Sequence, residues 1–347
     1  MRAAIFEGPR AIKVGDRPDP VIQEPTDAVV RVVLGCVCGS DLWYYRGLSP
    51  HAAGSIGHEF IGVVEDTGSD VTGLAAGDLV VAPFVYSDGI CPHCRAGVTF
   101  ACVAGGSFGN GTIDGGQGEA VRVPLASSTL VKVPGSGHAY GTLKSLLALS
   151  DVMCTGHHAA VCAGVHRGSV VGVVGDGAVG LSAVLASARI GAARIISLGS
   201  GNPARQALAR AFGATDVLAE RVDAATAAVM QITGGIGVDS AVECIGTGES
   251  VATAFGIARP GSVVGVIGAP HGVEVSFTDQ FWRSVGWRGG VAPARIYIPE
   301  LLPDVLDGSV DPGRLLDYET DLDHIADAYA AMDERRAIKS VIRIGSL

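Results

Sequence analysis

Charge is scarce in this chain. Only 17 % of its 347 residues are Asp, Glu, Lys or Arg, against a typical ~25 %. So thinly charged a surface is expected to be covered in part by further copies, as a homodimer or homotetramer. No basic tract occurs and the formal net charge is −10, which argues against nucleic acid as a partner. Long apolar runs are missing too. The most hydrophobic stretch, 170–190, contains Asp176 and several glycines. It reads as strand, turn and helix, not as a membrane span. Glu7, Gly8, Pro9 and Arg10 break any signal-peptide core near the start. These absences predict a cytoplasmic protein that does not insert into membranes. Internal repeats and low-complexity segments are also lacking.

Glycine and cysteine are plentiful. Glycine, at 50 residues, is about twice its usual ~7 % share, which predicts many tight turns and close backbone approaches. Three of the eight cysteines, Cys91, Cys94 and Cys102, lie close together. In a reducing compartment such a cluster points to metal ligation before disulfides.

The first ~150 residues read as an irregular, β-rich domain. Apolar runs at 29–34, 60–65 and 79–82 are separated by Gly, Pro and Asp clusters. Near residue 150 the pattern changes. A strand at 170–174 is followed by an Ala-rich helix at 179–190, a strand at 194–198 and a helix at 204–212. Further strands follow at 239–244 and 262–267. Strands alternating with helices predict a parallel, doubly wound α/β sheet. Leu322, Ile325, Tyr329 and Met332 then share helical spacing, and 340–344 closes as a strand. The tail is expected to rejoin the first domain. The expected boundaries are 1–152, 153–295 and 296–347, with a metal lobe near 88–102.

Gly175-Asp176-Gly177-Ala178-Val179-Gly180 follows the first strand of the second domain and opens its helix. In that context a G-x-G-x-x-G pattern is a strong dinucleotide signal. Gly175 permits the tight turn, Gly177 lets the backbone approach a pyrophosphate, and Gly180 packs helix on strand. An acid about 20 residues later would bond the ribose 2′-hydroxyl of NAD. Here the chain reads Leu198-Gly199-Ser200-Gly201-Asn202-Pro203. No carboxylate stands there, whereas Ser200, Asn202 and Arg205 can donate to a 2′-phosphate. NADP(H) is therefore expected over NAD(H).

Cys38, His58 and Asp151 provide a thiolate, an imidazole and a carboxylate. Three mixed S, N and O ligands with an open fourth position are the donor set of a catalytic zinc. With Cys38 and Asp151 ionised, such a site carries no net charge. Zinc lowers the pKa of bound water from 15.7 to about 7 and is expected to act similarly on a bound alcohol. A hydride can then pass to a nicotinamide; in reverse, the metal polarises a carbonyl. Ser40, two residues after Cys38, is a candidate to take the alcohol proton. Asp41 is a candidate acceptor that orients His58, and Glu59 a candidate to approach the metal from behind.

Cys38 with Gly57-His58-Glu59, Asp151 with Thr155-Gly156, and the glycine loop resemble the zinc-dependent medium-chain alcohol dehydrogenase family over essentially the full length. The resemblance implies a GroES-like catalytic domain and a Rossmann cofactor domain. It makes Cys38, His58 and Asp151 the catalytic ligands, Asp151 replacing a cysteine as in bacterial secondary alcohol dehydrogenases and formaldehyde dehydrogenases. Cys154 is the competing third ligand, but its offset to Thr155-Gly156 does not fit. Thr155 and Val179 are implied to pack on the nicotinamide and Lys339 to reach the pyrophosphate. Trp43 departs from the family, which often has a histidine there as the end of a proton relay.

Cys91, Cys94 and Cys102 match the last three ligands of the family's structural zinc lobe, with Asp88 where the first cysteine falls. A carboxylate can complete a tetrahedral site with three thiolates. His93 is a weaker alternative. The expected activity is zinc-dependent hydride exchange between NADP(H) and a small alcohol, aldehyde or ketone. The alternatives are an aldehyde oxidoreductase or dismutase of the formaldehyde dehydrogenase type, a zinc-free quinone reductase, and a non-catalytic nicotinamide-binding protein.

Overall fold

The computed structural model describes residues 1–110 and 113–346. The chain divides into two compact units, Met1–Asp151 with Pro293–Leu347, and Val152–Ala292. These limits lie one residue and three residues from those drawn on the sequence.

The first unit is built on a seven-stranded sheet. Its centre is the strand Ala28–Cys36, whose residues are buried except Arg31. A nearly continuous run of Val and Leu fits a strand covered on both faces. It pairs antiparallel with Phe60–Thr67 on one side. On the other side it pairs with Lys339–Arg343, matching Cys36 to Val341. That pairing explains why the C-terminal segment returns. The helix Ile325–Asp333 buries Ile325, Tyr329 and Met332, the residues whose spacing marked it. A three-stranded sheet holds Arg2–Gly8 between Ala11–Asp16 and Gly54–Ser55. The helix Tyr140–Ala148 departs from the β-rich reading. Its apolar set, Leu143, Leu146 and Leu147, fills about two turns, too short for helical periodicity to stand out in sequence.

The second unit is a six-stranded, wholly parallel sheet. In spatial order its strands are Asp216–Leu218, Arg194–Leu198, Val170–Val174, Val238–Glu243, Ala258–Val266 and Gly286–Gly289. The first strand in the chain is central, and successive crossovers run first to one side of it and then to the other. Ligands bind at that switch point, beyond the carboxyl ends of the strands. The glycine loop starts there, after Val174, and leads into the helix Ala178–Ile190. Gly175 has a φ of +121°, and a Cβ on Gly180 would stand 2.0 Å from the Gly175 carbonyl oxygen. The helix N-terminus can approach its own loop so closely only without side chains.

Gly180→Ala should therefore force loop and helix apart. The expected loss is about 1–3 kcal/mol, read as a lower midpoint in urea unfolding, together with weaker dinucleotide binding. An unchanged midpoint would show that the contact does not hold the loop.

Candidate active site and metal clusters

Two groups of metal-ligating side chains occur among the described residues. Cys38, His58, Glu59 and Asp151 each offer one donor atom, and these atoms lie within 4.8 Å of one another. Asp88, Cys91, Cys94 and Cys102 do the same. Both groups lie within the first unit.

In the first group, Asp151 Oδ2 stands 3.6 Å from Cys38 Sγ and 3.5 Å from His58 Nε2. Ligands at zinc bond lengths of ~2.0–2.3 Å occupy tetrahedron corners about 3.3–3.8 Å apart. The spacing of these donors matches such an edge, so the residues fit a zinc ion. Cys154 is not among the four. It is fully buried in the helix Val152–Cys162.

The surroundings hold these donors in place. Asp41 Oδ2 accepts the Cys38 backbone N–H at 3.0 Å, while Asp41 Oδ1 stands 3.5 Å from His58 Nδ1. One carboxylate thus fixes the loop carrying the thiol and the far side of the imidazole. Gln117, which the sequence reading missed, donates from Nε2 to the Cys36 carbonyl at 3.1 Å and to Asp41 Oδ2 at 3.4 Å. Its Oε1 accepts the Tyr329 hydroxyl at 2.9 Å. Gln117 and Tyr329 are both essentially inaccessible. Only a lone glutamine among the glycines 115–118 and a tyrosine in an apolar helix face hinted at them.

Glu59 lies behind the metal donors, and its oxygens are already engaged. Oε1 accepts the Lys339 amine at 2.7 Å, and Oε2 accepts the Cys36 thiol at 3.1 Å. Lys339 Nζ also donates to the Val37 carbonyl at 3.1 Å. This corrects the pyrophosphate contact implied for Lys339. The lysine is 0 % exposed, and its amine neutralises Glu59 inside the first unit.

Burial and the neighbouring charges shift Cys38, Asp41 and His58. Burial, with Glu59 and Asp151 nearby, pushes the Cys38 thiol up to about 11. Burial also raises Asp41, although His58 and the Cys38 amide oppose it. Burial alone would lower the His58 imidazole, but Asp41 and Cys38 outweigh it and carry it well above its ordinary value. A cluster of buried anions draws in positive charge, and a divalent ion bound there displaces the protons.

Ser40 is exposed at the start of the short helix Asp41–Tyr45. Trp43 is half-buried in that helix. Phe84 supplies an apolar wall, its ring edge-on to His58 at 6.3 Å between centroids.

The second group is held by backbone donors. Cys91 caps the helix Pro92–Arg95 and accepts the Cys94 N–H, which heads the contacts that bring its thiol down to about 7. Cys102 Sγ accepts the Asp88 N–H at 3.2 Å. Asp88 Oδ1 accepts the Cys91 and Ile90 amides, each at 2.9 Å, and these hold its carboxyl well below the usual range. Cys91 Sγ and Cys102 Sγ are 3.9 Å apart, close to the ~3.8 Å edge of a zinc–thiolate tetrahedron. His93 instead places Nδ1 2.6 Å from the Ala101 carbonyl.

In the second unit, no atom lies within 4 Å of where a Gly177 Cβ would stand, which leaves backbone N–H groups open to a pyrophosphate. The first turn of the following helix, with Ala178 and Val179, carries no acid. Thr155 lies in the helix Val152–Cys162. Ser200 and Arg205 are not placed as the sequence reading expected. Ser200 donates from N at 2.7 Å and Oγ at 2.6 Å to Asp176 Oδ2. Arg205 donates to the Asp176 carbonyl at 3.0 Å and stands 3.7 Å from Oδ1. An acid does reach the end of the second strand, from the glycine loop.

Lys339→Met strands the Glu59 carboxylate in the core. Removing one partner of a buried pair costs about 3–5 kcal/mol. Denaturant unfolding should show that loss, and Glu59→Gln in the same chain should recover much of it. Equal losses in the single and double variants would contradict the pairing.

Residues 24–135 match the alcohol dehydrogenase GroES-like domain, and residues 178–305 match the zinc-binding dehydrogenase domain. A protein of Mycobacterium tuberculosis named "Probable zinc-binding alcohol dehydrogenase" is 33 % identical over 340 residues, covering 96 % of this chain and 86 % of that one. A glutathione-independent formaldehyde dehydrogenase of Pseudomonas aeruginosa is 38 % identical over 228 residues, covering 61 % of this chain and 57 % of its own. Among solved structures, the alcohol dehydrogenase TADH from Thermus sp. ATN1 superposes with a TM-score of 0.92 at 30 % identity, covering 99 % of this chain and 100 % of that one. The chain belongs to the zinc-dependent medium-chain alcohol dehydrogenase family.

Proposed function

We propose that the protein interconverts a small alcohol and its aldehyde or ketone by hydride exchange with a nicotinamide dinucleotide, at a zinc held by Cys38, His58 and Asp151. The observation that carries this is the 3.5–3.6 Å spacing around Asp151 Oδ2, with Asp41 behind the imidazole. Zinc, when bound, supplies Lewis acidity toward the substrate oxygen. A bound nicotinamide would supply or accept the hydride. The protein's own residues do the rest. Cys38 and Asp151 balance the metal charge, and Asp41 steadies His58. Ser40 exchanges the proton at the substrate oxygen, and Phe84 excludes water beside His58. Gly177 and Ala178 cradle the pyrophosphate, and Val179 packs on the nicotinamide.

Asp88, Cys91, Cys94 and Cys102 have no open position in this reading and hold a second, structural zinc. The expected NADP(H) preference rested on the lack of a carboxylate after the second strand and on Ser200, Asn202 and Arg205 as donors. Ser200 and Arg205 meet Asp176, so the choice of dinucleotide depends on that carboxylate.

A second reading follows from the formaldehyde dehydrogenase relative, which matches part of this chain. An enzyme of that type that retains its cofactor would turn over an aldehyde without added NAD(P). A homodimer or homotetramer is supported by the edge strand Gly286–Gly289, exposed throughout, and by Trp287 in it and its neighbours Phe277, Phe281 and Trp282, each more than 60 % exposed. An open edge beside aromatic surface invites sheet continuation by a second copy. Thiolate ligands in both clusters favour a reducing, cytoplasmic setting.

Metal analysis should find two zinc ions per chain. Cys38→Ser should leave one and abolish turnover of every alcohol and aldehyde screened by cofactor absorbance. Activity that survives metal removal would overturn the proposal, and one zinc in the wild type would refute the structural site. Light scattering should give a dimer or tetramer that Trp282→Glu weakens. A monomeric wild type would contradict the assembly.

A further inference from the structure

We infer that Asp176 is the residue that selects the dinucleotide, and that it closes a seat otherwise built for a 2′-phosphate. The inference rests on the reading that the second unit binds a nicotinamide dinucleotide.

The end of the second strand is where the adenine ribose is read in this fold. In this chain the strand ends at Leu198 and is followed by Gly199 and Ser200. A Cβ on Gly199 would fall 2.6 Å from Asp176 Cβ and 2.6 Å from Oδ2. Glycine there is what lets the loop carboxylate lie across the strand end. Having reached it, Asp176 accepts two hydrogen bonds from one residue, the Ser200 amide and hydroxyl. An amide and a hydroxyl converging on one oxygen form an anion seat of the kind that takes phosphate. Arg205 adds positive charge beside it, and both charged side chains are about 85 % buried. Asn202 is committed elsewhere through Oδ1, which caps the helix Pro203–Ala211 by accepting the Ala204 and Arg205 amides.

Asp176 therefore holds the donors that a 2′-phosphate requires. Seating the phosphate means displacing the carboxylate or placing two anions on the same amide and hydroxyl. A ribose 2′-hydroxyl makes no such demand. It donates to Asp176, which keeps Ser200 and Arg205 as partners. Asp176 performs from the glycine loop the task that an acid at the strand end usually performs, and NAD(H) is the favoured cofactor.

The test measures dissociation constants for NADH and NADPH by fluorescence titration of the full-length protein, without substrate. The wild type should bind NADH at least ~10-fold more tightly, equivalent to about 1.4 kcal/mol. Asp176→Asn keeps the shape and removes the charge. It should tighten NADPH and shift the ratio by ~10-fold toward it, with NADH changed far less. Arg205→Met added to Asp176→Asn should erase the gain, because the released cation is then gone. Asp176→Ser provides a second neutral variant if Asn impairs folding. A wild type that prefers NADPH, or a ratio unmoved by either neutral variant, overturns the inference. Failure of both dinucleotides to bind the wild type overturns the dinucleotide reading itself, and the inference with it.

Discussion

Four acidic groups, Cys38, Asp41, Glu59 and Asp151, are packed into one region from which water is largely excluded. Buried charge is tolerated only when paired or bound to metal. Much of the first unit answers that constraint. His58 stands between Asp41 and Asp151, each 3.5 Å away, and Lys339 is driven onto Glu59. Lys339 opens the strand that pairs with Ala28–Cys36, so the C-terminal segment must return if Glu59 is to be neutralised. Tyr329, on the helix before that strand, reaches back through Gln117 to the same acids. The fold closure and the donor cluster are two aspects of one electrostatic solution.

That solution assigns each charge a different task. Asp41 keeps its oxygens on backbone, amide and imidazole partners, which suits an orienting role. Glu59 is in the donor cluster, yet its oxygens are engaged by Lys339 and Cys36. Its closeness to the cluster serves charge balance before ligation. The Asp88 group is built on other terms. Backbone amides stabilise its anions, and a short helix and a turn supply the geometry.

The convergence of Cys38, His58 and Asp151 was legible in sequence because a shared site restricts residue type and spacing. The parallel sheet was legible through alternating apolar runs, and the returning tail through helical spacing at Ile325, Tyr329 and Met332. What escaped was long-range. Lys339 meets Glu59 across 280 residues, and Tyr329 meets Gln117 across 212. Glu59 and Tyr329 each carried a local signal, but nothing local pairs them with Lys339 or Gln117, and family likeness sent Lys339 elsewhere. Asp176 escaped for another reason. It occupies a loop position where the dinucleotide pattern accepts any residue, so its reach to Ser200 depends on the missing side chain at Gly199.

The central claim is that Cys38, His58 and Asp151 form one tetrahedral metal site. Cobalt(II) substitution tests it most directly, because its absorption reports both coordination number and thiolate ligation. The account predicts intense tetrahedral bands with thiolate-to-cobalt charge transfer, a fixed share of which disappears in Cys38→Ser while the share from the Asp88 group persists. Weak octahedral bands, or a spectrum that Cys38→Ser leaves unchanged, would contradict it.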